Sequence, residues 1–177
     1  MTDYIFSSLE FGAYTVENKI EDKEVVIEKQ GKTYDICDDL GENILDYRIK
    51  KISYALSKRE YINKIKIEYL NKKDGTSKFC ETPTWKGWEF IMEEIDLEDD
   101  EEITNVKVYL KDIQLKGFEI ITNKGKNKKI GFGNENQSLM EKNWEKGKKI
   151  VVGFGFNASR IYGVYSMHFY YIDKNNE

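Results

Sequence analysis

Lys116-Gly117-Phe118-Glu119-Ile120-Ile121-Thr122-Asn123-Lys124-Gly125 leads into Ile130-Gly131-Phe132-Gly133, and a related pattern returns in Lys149-Ile150-Val151-Val152-Gly153-Phe154-Gly155-Phe156. Apolar and small residues alternate in both. Glycine inside a strand marks a bulge or a tight corner, and the aromatic residues beside it fill a core. Gly131-Phe132-Gly133 and Gly153-Phe154-Gly155 are too short for a dinucleotide motif, and no helical pattern follows to supply a phosphate site. Upstream, Tyr61 to Leu70 alternates with Ile65, Ile67 and Tyr69 on one face against Lys64, Lys66 and Glu68. Lys73-Asp74-Gly75-Thr76 then reads as a tight turn, because Asp-Gly accepts positive φ. Pro83 to Trp88 reads as a loop or edge segment, with a strand near Glu89 to Leu97 and a solvated acidic turn at Glu98 to Glu102. Ile103, Val106, Val108 and Leu110 belong to the next strand. Short strands at this spacing, without sustained 3.6-residue periodicity, predict an all-β domain. A short helix in the N-terminal block or around Ser138 to Trp144 is the tolerated exception. Ile65, Ile67, Val106, Val108, Phe118, Ile120, Val152 and Phe154 are expected to point inward.

The chain of 177 residues suits one domain with an extension better than two domains. Its 40% hydrophobic content, with 12 Tyr and 9 Phe, excludes a disordered chain despite 34% charged residues. A net charge of −4, from 28 basic and 32 acidic residues, gives no general field for nucleic acid, and none is expected as a partner. Residues 1–42 form an N-terminal block in which Glu24 to Glu28 and Lys32 to Cys37 read as short strands around Gln30-Gly31, an added hairpin. The main domain is expected over 43–172, followed by a polar tail at 173–177. The start Met1-Thr2-Asp3-Tyr4-Ile5-Phe6 lacks the regions of a secretory signal, and no apolar run has the length of a membrane span. The expectation is a cytoplasmic chain with reduced thiols, in which the triplets Asn136-Gln137-Ser138 and Asn157-Ala158-Ser159 have no role as glycosylation acceptors.

Nothing in the sequence assembles a catalytic site. His168, the one histidine, lies in the strand-like Tyr165 to Tyr170 without the partners that acid–base chemistry requires, and reads as a strand or core-edge residue. Cys37 and Cys80 show no nucleophile signature and no zinc spacing. Asp99-Asp100-Glu101-Glu102 lacks the spacing and turn glycine of a calcium loop. No enzyme activity, metal or cofactor is expected.

Taken in order, these segments resemble a known family. Leu45-Asp46-Tyr47 with Arg48-Ile49-Lys50-Lys51-Ile52, the acidic turn before Ile103, Thr122-Asn123-Lys124-Gly125 followed by Gly131-Phe132-Gly133, and Gly153 to Tyr165 together are similar to jacalin-type lectin domains over residues 43 to 172. The resemblance implies a β-prism of three antiparallel sheets with a sugar site on its end loops. In that family a Gly-x-x-x-Asp turn holds the sugar through backbone amides and a carboxylate, and charged acceptors make the stronger hydrogen bonds. Here the place of the aspartate falls on Ser159, or on Tyr162 if Ile161 is aligned, and neither is acidic. Gly41 is followed by Glu42 where the family has paired glycines. The loop residues left for ligand contact are Gly155, Asn157, Ser159, Arg160 and Tyr162, with Trp85 and Trp88 as aromatic contacts if their loop reaches the same end. Two functional readings stay open. One is a non-catalytic module with a degenerate sugar site, docking on protein partners as a subunit of a larger assembly. The other is a working cytosolic lectin that binds glycan through the 155–162 loop.

Overall fold

In the computed structural model, the described residues are 6–7, 32–35, 40–58, 60–83, 91–111, 114–133, 138–139, 148–159 and 163–174. They form three four-stranded antiparallel groups. Sheet I contains β1 (Phe6–Ser7), β2 (Lys32–Asp35), β11 (Lys149–Ser159) and β12 (Gly163–Asp173), ordered β1-β12-β11-β2. Sheet II contains β3 (Tyr47–Leu56), β4 (Ile62–Asn71), β5 (Ser77–Glu81) and β6 (Glu93–Asp96), ordered β6-β3-β4-β5. Sheet III contains β7 (Ile103–Lys111), β8 (Gln114–Thr122), β9 (Asn127–Gly131) and β10 (Ser138–Leu139), ordered β10-β7-β8-β9. Among the described residues, sheet I meets each of the other two through one residue pair. Val164 faces Ile62 where I meets II, and Val151 faces Ile103 where I meets III. These three faces are the expected β-prism.

The alternation that predicts the strands also fills the prism. All eight residues expected to point inward are buried, from Ile65, Ile67, Val108, Phe118, Ile120 and Phe154 at 0% exposure to Val152 at 8%. The axis of the core is aromatic. Phe118, Phe154, Phe156 and Phe169 pack with ring centroids 5.8–6.4 Å apart, within the range of favourable ring contacts. The Tyr69 hydroxyl accepts the Phe154 amide at 3.1 Å, tying sheet II to sheet I through the interior. In sheet III, Gly117 and Gly131 face each other across β8 and β9. A Cβ on Gly117 would lie 2.6 Å from the Ile130 carbonyl oxygen, so close backbone approach explains that glycine.

Several local expectations need correction. The strand expected near Glu89 to Leu97 is confined, among the described residues, to Glu93–Asp96. Ser138–Leu139, where a helix was tolerated, form strand β10. In the N-terminal block, Glu24 to Glu28 lie outside the described residues. Lys32–Asp35 pair with β11, and Phe6–Ser7 with β12. The acidic run is not simply solvated: Glu98, Asp99 and Asp100 are exposed but ion-paired, while Glu101 is buried. Leu40 to Asp46 enter the prism through a 3-10 turn whose Ile44 side chain is fully buried.

Candidate functional site

Strand direction separates the prism into two ends. At one end lie the turns β3–β4 and β11–β12, brought together by the Val164–Ile62 pair. Gly163 closes the second turn at φ 63°, in the region that favours glycine, and any side chain there would press into the Ile62 carbonyl. In the first turn the Ser57 amide donates to Tyr61 O at 2.9 Å, and the Tyr61 amide donates to Ser57 Oγ at 3.2 Å.

Three of the residues expected to contact a ligand lie on the strand that leads to this end. Gly155, Asn157 and Ser159 share strand β11. Asn157 Nδ2 donates to Ser166 Oγ on β12 at 2.7 Å. Ser159 is 4% exposed and pairs with Gly163 at the last rung before the turn. Gly155 sits within the strand, opposite His168 on β12 and Asp35 on β2. A Cβ on Gly155 would collide with the His168 imidazole and lie 2.9 Å from Asp35 Oδ2. Arg160, Tyr162, Trp85 and Trp88 lie outside the described residues.

The glycine leaves room for a polar cluster that sequence reasoning missed. Asp35 Oδ2 lies 2.7 Å from His168 Nε2 and accepts the Tyr170 hydroxyl at 2.5 Å, while His168 Nε2 and Tyr170 Oη are 3.1 Å apart. The His168 and Tyr170 rings meet edge to face at 5.3 Å. The side chains of His168 and Asp35 are 15% and 8% exposed. The available signals were the i, i+2 spacing of His168 and Tyr170 and a glycine in the neighbouring strand. Asp35, 133 residues away from His168, gave no local signal.

The opposite end is built from charge. Loop 98–102 is fastened to the β8–β9 turn by Asn123, whose Oδ1 accepts the Glu102 amide and whose Nδ2 donates to the Asp100 carbonyl, both at 3.0 Å. Lys124 reaches Glu98 at 2.6 Å and also pairs with Asp100, and Lys126 reaches Glu98 and Glu101 at 2.9 and 3.0 Å. Arg48 pairs with Asp99. Hydrogen bonds from Lys124 and Lys126 hold the Glu98 carboxyl down to about 2. Asp100 is lowered chiefly by Lys124, and Lys124 in turn is raised by Asp100 and Glu98. Beneath the loop is a cavity of about 170 Å³ floored by Ile49, Leu97, Ile103 and Val152. Among the described residues, no group of three His, Cys, Asp or Glu side chains is arranged to hold a metal ion.

The jacalin-like lectin domain matches residues 23–170, so the match takes in part of the N-terminal block. No curated protein sequence matches the chain. Among solved structures, wild-type Malaysian banana lectin is similar at 16% identity and a TM-score of 0.63, over 97% of this chain and 100% of that one. The agglutinin of Calystegia sepium is similar at 15% identity and a TM-score of 0.62, over 97% of each chain. A mannose-binding jacalin-related lectin from Ananas comosus is similar at 15% identity and a TM-score of 0.56, over 96% of this chain and 99% of that one. At these identities the structural likeness carries the fold.

Proposed function

The chain belongs to the jacalin-like lectin domain family, and on that premise we propose that it is a non-catalytic binding module with a sugar site degenerate for simple monosaccharides, working as an interaction subunit of a larger assembly. The observation that carries this reading is the state of β11 at the turn end. Asn157 is engaged with Ser166, Ser159 is buried in the last rung, and Gly155 is covered by the His168 and Asp35 side chains. Neither position that aligns with the family's acidic acceptor, Ser159 or Tyr162, supplies a carboxylate. Losing a charged acceptor from a shallow polar site weakens binding by roughly 1.5–3 kcal/mol, about ten- to a hundredfold. Among the described residues, two large hydrophobic side chains stand out on the surface, Ile91 at 89% and Phe79 at 47% exposure, and suit contact with a protein partner.

Calorimetry against a panel of methyl mannoside, galactoside and glucoside tests the proposal. The parent protein is expected to show no saturable sub-millimolar binding. Tyr162→Asp is expected to gain about tenfold or more in affinity, the value of a charged hydrogen bond, whereas Ser159→Asp places its carboxylate in the buried last rung and is expected to gain none. Sub-millimolar binding by the parent, abolished by Asn157→Ala or Arg160→Ala, makes the chain a working lectin instead.

A further inference from the structure

Strand β2 contributes four residues and, among the described residues, pairs with β11. A four-residue ladder is weakly held by its own backbone bonds. Its last residue, Asp35, nevertheless reaches across β11 to two side chains of β12. The carboxylate oxygen only accepts, so the Tyr170 hydroxyl and the His168 ring N–H both donate to it, at 2.5 and 2.7 Å. Such charge-assisted bonds are stronger than neutral ones. They pass over β11 where Gly155 has no side chain, and a Cβ there would occupy the space of the imidazole. Three strands are therefore joined through one carboxylate oxygen.

The register gives this junction a consequence. Asp35 pairs with Gly155, and Lys32 pairs with Ala158, one residue from Ser159. The chain thus enters β2 beside the β11–β12 turn, three residues and about 10 Å along the strand from the junction.

We propose that Asp35, His168 and Tyr170 form a positioning clasp that holds β2 on β11 and so fixes the geometry of the turn end carrying Ser159 and Gly163. The three are positioning residues. The proposal rests on the binding reading only for what that end engages, and its test contains no ligand.

Amide hydrogen exchange and nitrogen-15 NMR spectra of the full chain are compared for the parent, Asp35→Ala, His168→Gln and Tyr170→Phe. In Asp35→Ala, amides of residues 32–35 exchange about tenfold or more faster, while those of Val106, Val108, Phe118 and Ile120 keep their parent rates, as expected for local rather than global opening. The Ser159 and Gly163 resonances move in the same variant. His168→Gln, whose amide can still donate to Asp35, retains most of the protection. Parent-rate exchange at 32–35 overturns the proposal. So does an equal rise through sheets I and III, which is general destabilisation. If residues 32–35 open while Ser159 and Gly163 stay in place, the cluster does not position the turn end and the proposal fails. Should Asp35→Ala not fold, Tyr170→Phe decides the matter. It removes one donor with little change of volume, and faster exchange confined to 32–35 is required of it. Monosaccharide binding by any variant bears on the function and leaves this outcome untouched.

Discussion

The two ends of the prism use polar residues in opposite ways. At the end under loop 98–102, five consecutive acidic residues and the turn at Asn123 to Lys126 are matched across space by hydrogen bonds and ion pairs. At the other end, Asn157 is engaged with Ser166 and Ser159 is buried, while the Asp35 cluster lies behind them along β2 and β12. The end richest in charge thus uses it to fix a loop. The end that the family resemblance marks for ligands carries no carboxylate at the aligned positions. A family motif can therefore be well matched where it serves the scaffold and depart where it would serve recognition. Of the matched motif Thr122-Asn123-Lys124-Gly125 followed by Gly131-Phe132-Gly133, the first part falls at the loop-fixing end and the second begins at the far end of β9.

The core joining the ends gives the largest expected effect. Phe154→Ala removes a fully buried ring that contacts Phe118, Phe156 and Phe169, and should cost about 3–5 kcal/mol. Denaturant unfolding should show the loss as a lower midpoint at an unchanged slope. An unchanged midpoint would remove Phe154 from the shared core.

Asn123→Ala sharpens the comparison by touching one end. It deletes the bonds to the Glu102 amide and the Asp100 carbonyl, an expected loss of about 1–2 kcal/mol. Faster amide exchange should be confined to loop 98–102 and the 123–126 turn. Equal effects on Ser159 and Gly163 would break the distinction between the ends.

The smallest effect is electrostatic. Because the Glu98 carboxyl is held at about 2 rather than 4.5, its contribution to stability is present above pH 4.5 and is lost as pH falls toward 2. The thermal midpoints of the parent and Glu98→Gln should therefore differ near neutrality and converge through that window. At neutral pH the difference should also shrink as salt is raised, since these ion pairs are solvent-exposed. A difference that persists at pH 2 would assign the role of Glu98 to packing.

Much of the fold was legible because a strand's phase is written in adjacent residues. Ile65, Ile67 and Tyr69 alternate with charged neighbours, and the structure buries all three. The acidic run was less legible because its partners lie elsewhere in the chain: a local reading sees five like charges and assigns them to water, whereas Lys124 and Lys126 reach Glu98 from 26 and 28 residues away. The candidate site follows the same rule. The absence of an aspartate near Ser159 could be read directly. The use of Gly155 to accommodate His168 could not, because the pairing of β2 with β11 joins residues 120 apart or more.

The grouping of strands into sheets also orders events during synthesis. Sheets II and III are each made from consecutive strands, β3 to β6 and β7 to β10, so each can form soon after its own segment leaves the ribosome. Sheet I joins Phe6–Ser7 and Lys32–Asp35 to residues 149–173 and cannot close until the latter exist. Until then, the strands that β1 and β2 pair with among the described residues, β12 and β11, are missing, and the inner faces that Phe154, Phe156 and Phe169 will cover remain open. Folding therefore ends with a long-range closure, the kind of contact that forms slowly, and the nascent chain carries an unfinished apolar interior until its final strands arrive.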